Sequence, residues 1–211
     1  MTINLYTPPT LSINTDQRPV KWLALTIVFV TLFSGCANLP PPTGEIHNEN
    51  ISDLQHWLIE GKLGIRTENE AHSAYIHWNN SGLNYKIEIF GPFGKGKIHI
   101  EKHGKRVTLR DRDGELSSNS ARELFYRVSG YDIPIESLIY WIKGQPSPDS
   151  NVSIEQINEQ GQLTDFEQDT WRVSYRSFTG IHGFNLPNNI TISQPSMRAK
   201  IIIKRWRLNP Q

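Results

Sequence analysis

A single cysteine, Cys36, in 211 residues excludes a disulfide framework and any zinc site built on several thiolates. A surplus of one charge is also missing. The chain has 22 lysines and arginines against 21 aspartates and glutamates, for a net charge of +1, so it lacks the strong positive field on which nucleic-acid binding draws. No apolar run is long enough to cross a bilayer: residues 22–33 make about 18 Å of helix against a hydrocarbon core of roughly 30 Å. Motifs for catalysis are equally scarce. Gly-x-Ser-x-Gly does not occur, and serine, histidine and aspartate show no triad spacing, although a Ser–Lys or carboxylate-pair hydrolase would leave no such local signature. His99 and His103 fall on an alternating stretch, where four residues separate their backbones by about 13 Å, too far to share one ion. His72 and His77 differ by an odd number and point to opposite faces of a strand. Asp111-Arg112-Asp113-Gly114-Glu115 lacks the remaining ligands of a calcium loop and reads as a hairpin turn. No catalytic residue, metal or dissociable cofactor is therefore expected.

What the N-terminal region does contain is ordered. Arg18 and Lys21 precede the apolar run, and Leu32-Phe33-Ser34-Gly35-Cys36 closes it, the order of parts in an export signal. Small residues placed directly before a thiol resemble a bacterial lipobox, with Phe33 where leucine is commoner. The resemblance implies that residues 1–35 are a lipoprotein signal peptide that is removed. It also implies that Cys36 carries a thioether-linked diacylglycerol and an N-acyl chain. Residues 36–50, through Leu39-Pro40-Pro41-Pro42-Thr43-Gly44, have the composition of a flexible tether, which leaves residues 51–211 as one domain held by packing alone. Ala37 follows the cysteine where aspartate commonly retains lipoproteins in the inner membrane of Gram-negative bacteria. That points to the periplasmic face of the outer membrane.

Past the tether the dominant period is two. Trp57, Ile59, Gly61, Leu63 and Ile65 share one strand face; Ala74, Ile76 and Trp78 follow, then Leu83, Tyr85, Ile87 and Ile89 after the turn Asn79-Asn80-Ser81-Gly82. Residues 97–101 and 106–110 alternate again, and Asp113-Gly114 precedes another short stretch. The period then changes. Ser120 or Asn119 caps a helix with the stripe Ala121, Leu124, Phe125 and Val128, ended by Gly130; a second begins near Pro134, turns Ile135, Leu138, Ile139 and Ile142 inward, and stops at Gly144. Strands return at Trp171, Val173 and Tyr175, at Ile190 and Ile192, and over residues 200–206. The expected fold is mostly β: a single antiparallel curved sheet of about ten strands, forming an open half-barrel covered by the helices. Two helices cover so large a sheet only in part, which leaves room for a hydrophobic cavity.

In this order the motifs resemble the LolB family of outer-membrane lipoprotein receptors, over most of the chain after Cys36. The matching parts are Gly61-Lys62-Leu63-Gly64, residues 74–78, residues 85–90 running into Gly91-Pro92-Phe93-Gly94, and Ile133-Pro134. They continue with residues 138–141 before Lys143-Gly144-Gln145-Pro146, Trp171-Arg172-Val173-Ser174-Tyr175, Leu186-Pro187 and Lys204-Arg205-Trp206. The family implies a curved, unclosed antiparallel barrel with helices at its mouth. It further implies a monomeric receptor that accepts acylated lipoproteins from the periplasmic carrier LolA and inserts them into the outer membrane. By that resemblance Gly91, Pro92, Phe93 and Gly94 form a membrane-insertion loop with phenylalanine at a tip where the family has leucine, and Lys95 and Lys97 favour anionic headgroups. The candidates for the acyl cavity, from strand faces and helix stripes, are Leu63, Ile65, Trp78, Ile87, Ile89, Leu138, Ile142 and Trp171. The partners expected are LolA, lipoprotein cargo held through its acyl chains, and outer-membrane phospholipid, with no nucleic acid. The competing readings are an envelope-anchored hydrolase and a lipid-binding module with no protein cargo. Arg198, Lys200, Lys204, Arg205 and Arg207 alternate with apolar residues; they read as a solvated strand face or as a dock for an acidic or phospholipid surface.

Overall fold

The structure, a computed structural model, describes residues 50–94 and 96–209. Among them one antiparallel sheet contains β1 His56–Thr67, β2 Ala71–Ser81, β3 Asn84–Phe90, β4 Ile98–His103, β5 Arg106–Arg110 and β6 Glu115–Ser118. Its other strands are β7 Val152–Ile157, β8 Leu163–Gln168, β9 Trp171–Ile181, β10 Phe184–Gln194 and β11 Met197–Leu208. The spatial order is β6-β5-β4-β3-β2-β1-β11-β10-β9-β8-β7. Two meanders thus meet in the middle, where the first strand pairs with the last. The long connection, from edge strand β6 to edge strand β7, holds the helices α1 (Ala121–Ser129) and α2 (Ile135–Trp141).

Alternation decides which face is buried. Along β1, Trp57, Ile59, Gly61, Leu63 and Ile65 are buried while Lys62 and Arg66 are exposed, and Leu63 lies opposite Ile201 and Ile65 opposite Ala199 of β11. A bulge between Glu60 and Gly61 brings the backbones so close that a Cβ on Gly61 would stand 2.3 Å from the Ile202 carbonyl oxygen, so only glycine fits. In the core Trp57 packs on Trp78 at 5.5 Å and on Trp206 at 5.7 Å between ring centroids. The Asp111 segment is a hairpin turn, its carboxylate accepting from the Asp113 and Gly114 N–H groups at 2.8 and 3.1 Å.

The Ser120 hydroxyl caps α1 by accepting from the Glu123 N–H at 3.2 Å, and Gly130 ends it in the left-handed region at φ 77°. Glu136, on α2, accepts from the Ala121 N–H at 2.8 Å, so a carboxylate from one helix meets the positive end of the other. The eleven strands among the described residues agree with the expected number of about ten; β7 and β8, at positions where no strand was expected, arise from a polar stretch with little alternation. α2 stops at Trp141, with Ile142 as its C-cap.

Candidate functional site

Between the central strands and the helical segment lies a cavity of about 30 Å³, room for a water molecule or two but far short of an acyl chain. The sheet supplies Leu63, Ile76, Trp78, Ile87 and Ile89 on β1 to β3, with Ile192, Ala199 and Ile201 on β10 and β11. The roof is Phe125 of α1, Ile133 at the junction, and Ile135 and Leu138 of α2. Five of the eight cavity candidates, Leu63, Trp78, Ile87, Ile89 and Leu138, line this space. Ile65, Ile142 and Trp171 are buried elsewhere. Ile65 lies further along β1, across from His72; Ile142 sits at the end of α2; Trp171 packs 6.5 Å from Trp141. Alternation gives the face of a strand but not the position along it. Ile76 carried the same signal as Trp78, and Phe125 and Ile135 lay on the helix stripes, whereas nothing local marked Ala199.

The two ends of the roof are fastened differently. At the end of α2, the Trp141 Nε1–H donates to Gln168 Oε1 at 2.7 Å and the Tyr175 hydroxyl to the Trp141 carbonyl at 2.7 Å. Gln168 in turn donates to the Ser147 carbonyl at 2.7 Å. Lys143 Nζ lies 3.3 Å from the Leu54 carbonyl, and burial pulls its pKa below the ordinary lysine value. These are buried, mutually satisfied contacts. The α1–α2 junction is held by apolar packing and one reach to the sheet rim, where the Tyr131 hydroxyl donates to Glu70 Oε1 at 2.9 Å. His72 Nε2 lies 2.9 Å from the other Glu70 oxygen. The hydrogen bonds from His72 and then Tyr131 hold the Glu70 carboxyl below its usual range, while burial and Glu70 raise the Tyr131 phenol. Arg122 braces the junction internally, with a two-pronged contact to Asp132 that includes a 2.6 Å bond and holds that carboxyl low.

The second feature is the loop between β3 and β4. The Gly94 N–H donates to the Gly91 carbonyl at 3.1 Å, closing a turn with Pro92 and Phe93 at its centre. Phe93 is 99 % exposed and adopts φ 61°, ψ 22°, a left-handed conformation that is an outlier for a bulky side chain. Phe93 is thus a large aromatic side chain on strained backbone, exposed rather than packed against the described residues. Lys97 is engaged by Glu88 at 2.9 Å. Lys95 lies outside the described residues, as do Cys36, the signal segment and the tether through Glu49.

A family model described as outer membrane lipoprotein LolB matches residues 55–206. The chain belongs to the LolB family. An outer-membrane lipoprotein LolB of Marinomonas is 30% identical over 183 residues, spanning 86% of this chain and 95% of its own. That of Halorhodospira halophila is 32% identical over 181 residues, 83% of this chain and 89% of its own. In solved structures the fold recurs in a LolA superfamily protein from Nitrosomonas europaea, with TM-score 0.53 at 11% identity over 75% of this chain and 88% of that one. It recurs also in a DUF1329 family protein from Desulfovibrio piger, with TM-score 0.51 at 10% identity over 75% and 88%. No helix among the described residues is long and apolar enough to span a bilayer. No cluster of three potential metal ligands occurs among them either.

Proposed function

We propose that this outer-membrane lipoprotein receptor takes its cargo from the periplasmic carrier LolA, holds an acyl chain between the sheet and the α1–α2 segment, and releases it into the membrane beside Phe93. The observation that carries this reading is the cavity lined by apolar side chains beneath a roof whose junction reaches the sheet rim through the Tyr131–Glu70 hydrogen bond. At about 0.8 kcal/mol per methylene, exposing a chain of about 15 carbons to water costs on the order of 12 kcal/mol. Passage from one apolar site to another avoids most of that cost. The closed cavity is too small, so the roof lifts to admit the chain. Lifting uncovers Ile133, Ile135 and Leu138, and the incoming chain re-covers them. Apolar contact replaces apolar contact, so the step runs on an ordering of affinities from carrier to receptor to bilayer and needs no nucleotide. Within the same reading Cys36, acylated after removal of residues 1–35, anchors the domain through the tether of residues 36–50. No polar constellation in the cavity supports a hydrolase.

The test is binding of an environment-sensitive acyl probe to the unacylated chain from residue 36 onward. Uptake is expected in the wild type and is expected to be lost in Ile133→Glu, which places a charge in the roof. Equal uptake by a folded Ile133→Glu protein would remove the cavity from the mechanism.

A further inference from the structure

We infer that the outer face of β1 and β11 carries a headgroup site, a small-floored groove whose cations take the phosphate of an anionic phospholipid. The inference deepens the membrane-contact reading of the Phe93 loop and rests on it.

The strand register builds the groove. On the outer face Arg66 stands opposite Arg198, and Gly64 lies between Lys200 on one side and Ser73 on the other. Arg66, Arg198, Lys200, Gly64, Ala71 and His72 border an open groove of about 290 Å³. Two arginines directly across from each other repel and cost the sheet stability. Further along the same face the cations are answered: Glu60 meets Arg205 at 2.6 Å and Arg207 at 3.6 Å. Arg66, Arg198 and Lys200 have no ion pair among the described residues. Glu70, in the adjoining turn, is taken by His72 and Tyr131, and Glu68 beside it makes no ion pair with the described residues.

Gly64 points the same way. A glycine weakens a strand, and this one is not demanded by packing, since a Cβ there would meet only the His72 carbonyl oxygen, at 3.9 Å. Gly61, three residues earlier, has no such freedom. What the bare Gly64 supplies is a floor between cations.

Position favours a lipid over an acidic protein. β1 and β3 run in the same direction, so the end of β1 that bears Arg66 lies at the same end of the sheet as the Phe93 loop. A row of side chains joins them: Lys62 Nζ lies 5.8 Å from the Tyr75 ring centroid, Tyr75 stacks on Phe90 at 5.6 Å, and Phe90 immediately precedes the loop. β1 and β3 are two strand spacings apart, about 10 Å. Tyrosine suits the bilayer interface, so a Phe93 tip in the acyl region sets Tyr75 and the cations at headgroup depth. An acidic protein would satisfy the cations but leave the exposed tip unexplained.

Flotation of the unacylated chain from residue 36 with phosphatidylethanolamine vesicles, with and without phosphatidylglycerol, tests this. The wild type is expected to prefer phosphatidylglycerol and to lose that preference in high salt. Arg66→Gln with Arg198→Gln is expected to weaken binding to phosphatidylglycerol vesicles about 30-fold and leave binding to neutral vesicles unchanged. Gly64→Val, which fills the floor without touching charge, weakens the same preference. Phe93→Asp is the control for the underlying reading: it lowers binding to both vesicle types and keeps the preference. If Phe93→Asp binds normally while the arginine variant loses the preference, the tip is discarded and the groove stands. A wild type with no preference, or an arginine variant that keeps it, overturns the groove. So does a variant that binds vesicles normally but accepts cargo slowly from LolA without membrane, which would make these cations a protein dock.

Discussion

Replacing Phe93 by glycine should move stability and membrane insertion in opposite directions. Phe93 holds φ 61°, which costs a residue with a side chain about 1–2 kcal/mol relative to glycine. Its ring, 99 % exposed, contributes no packing that would be lost. Glycine's greater freedom in the unfolded chain returns about 0.5–1 kcal/mol of that gain. The net expectation is a protein more stable by about 0.5–1 kcal/mol, read as a higher urea midpoint at unchanged slope. Lipid contact changes the other way. A phenylalanine leaving water for hydrocarbon gains about 1.5–3 kcal/mol, so its loss should weaken the loop's hold on a bilayer about 10- to 150-fold. The assay is the rate of cargo insertion into vesicles, measured beside the denaturation curve. A destabilised Phe93→Gly protein would show that the side chain packs on the fold, and an unchanged insertion rate would show that the tip does not enter lipid.

Other perturbations test other links. Gly61→Ala should cost about 3 kcal/mol, because its Cβ would meet backbone at 2.3 Å, whereas Gly64→Ala in the same strand should stay within about 0.5 kcal/mol; equal effects in urea melts would contradict the bulge geometry. Tyr85→Phe removes a buried hydroxyl that has no hydrogen-bond partner among the described residues and should stabilise by about 1 kcal/mol, so a loss of stability would reveal a partner for it. Tyr131→Phe keeps the ring but frees the roof junction, and should speed acyl-probe uptake about two- to tenfold; an unchanged rate would remove Tyr131 as a latch. A carboxyl with a lowered folded-state pKa contributes above its unfolded pKa and ceases to contribute as pH falls through the folded one. Probe uptake by the wild type should therefore quicken as pH drops through the lowered Glu70 value, and Glu70→Gln should abolish that pH response.

The residues that sequence reading located well are those whose neighbours report on burial. Along β1 to β3 one face is packed and the other wet, so alternation alone placed Trp57, Leu63, Trp78 and Ile87 on the inner face. β7 and β8 lie at the far edge of the sheet, and the polar Gln156, Asn158, Glu159, Gln160 and Gln162 between and within them hide any period. The pairing of β1 with β11 joins residues up to about 150 positions apart, a contact that no local pattern encodes. The bulge at Gly61 depends on that pairing and was equally invisible. Ile65 and Trp171 had the right period but lie away from the cavity, a fact of position along the strand. Among the basic residues of β11, Arg205 looks no different in sequence from Arg198; the structure separates them by placing Glu60 beside the first and Arg66 opposite the second. The strain at Phe93 has no local signature either, because Gly-Pro-Phe-Gly suits an ordinary type I turn as well as the left-handed one adopted.

The measurement that tests the central claim most directly is cargo transfer. The unacylated chain from residue 36 is mixed with a purified complex of LolA and an acylated lipoprotein, without nucleotide or membrane, and the two proteins are then separated. The cargo is expected to move onto this protein, and Ile133→Glu to prevent the movement. Cargo that stays with a matched carrier in the presence of a folded wild-type chain would contradict that expectation.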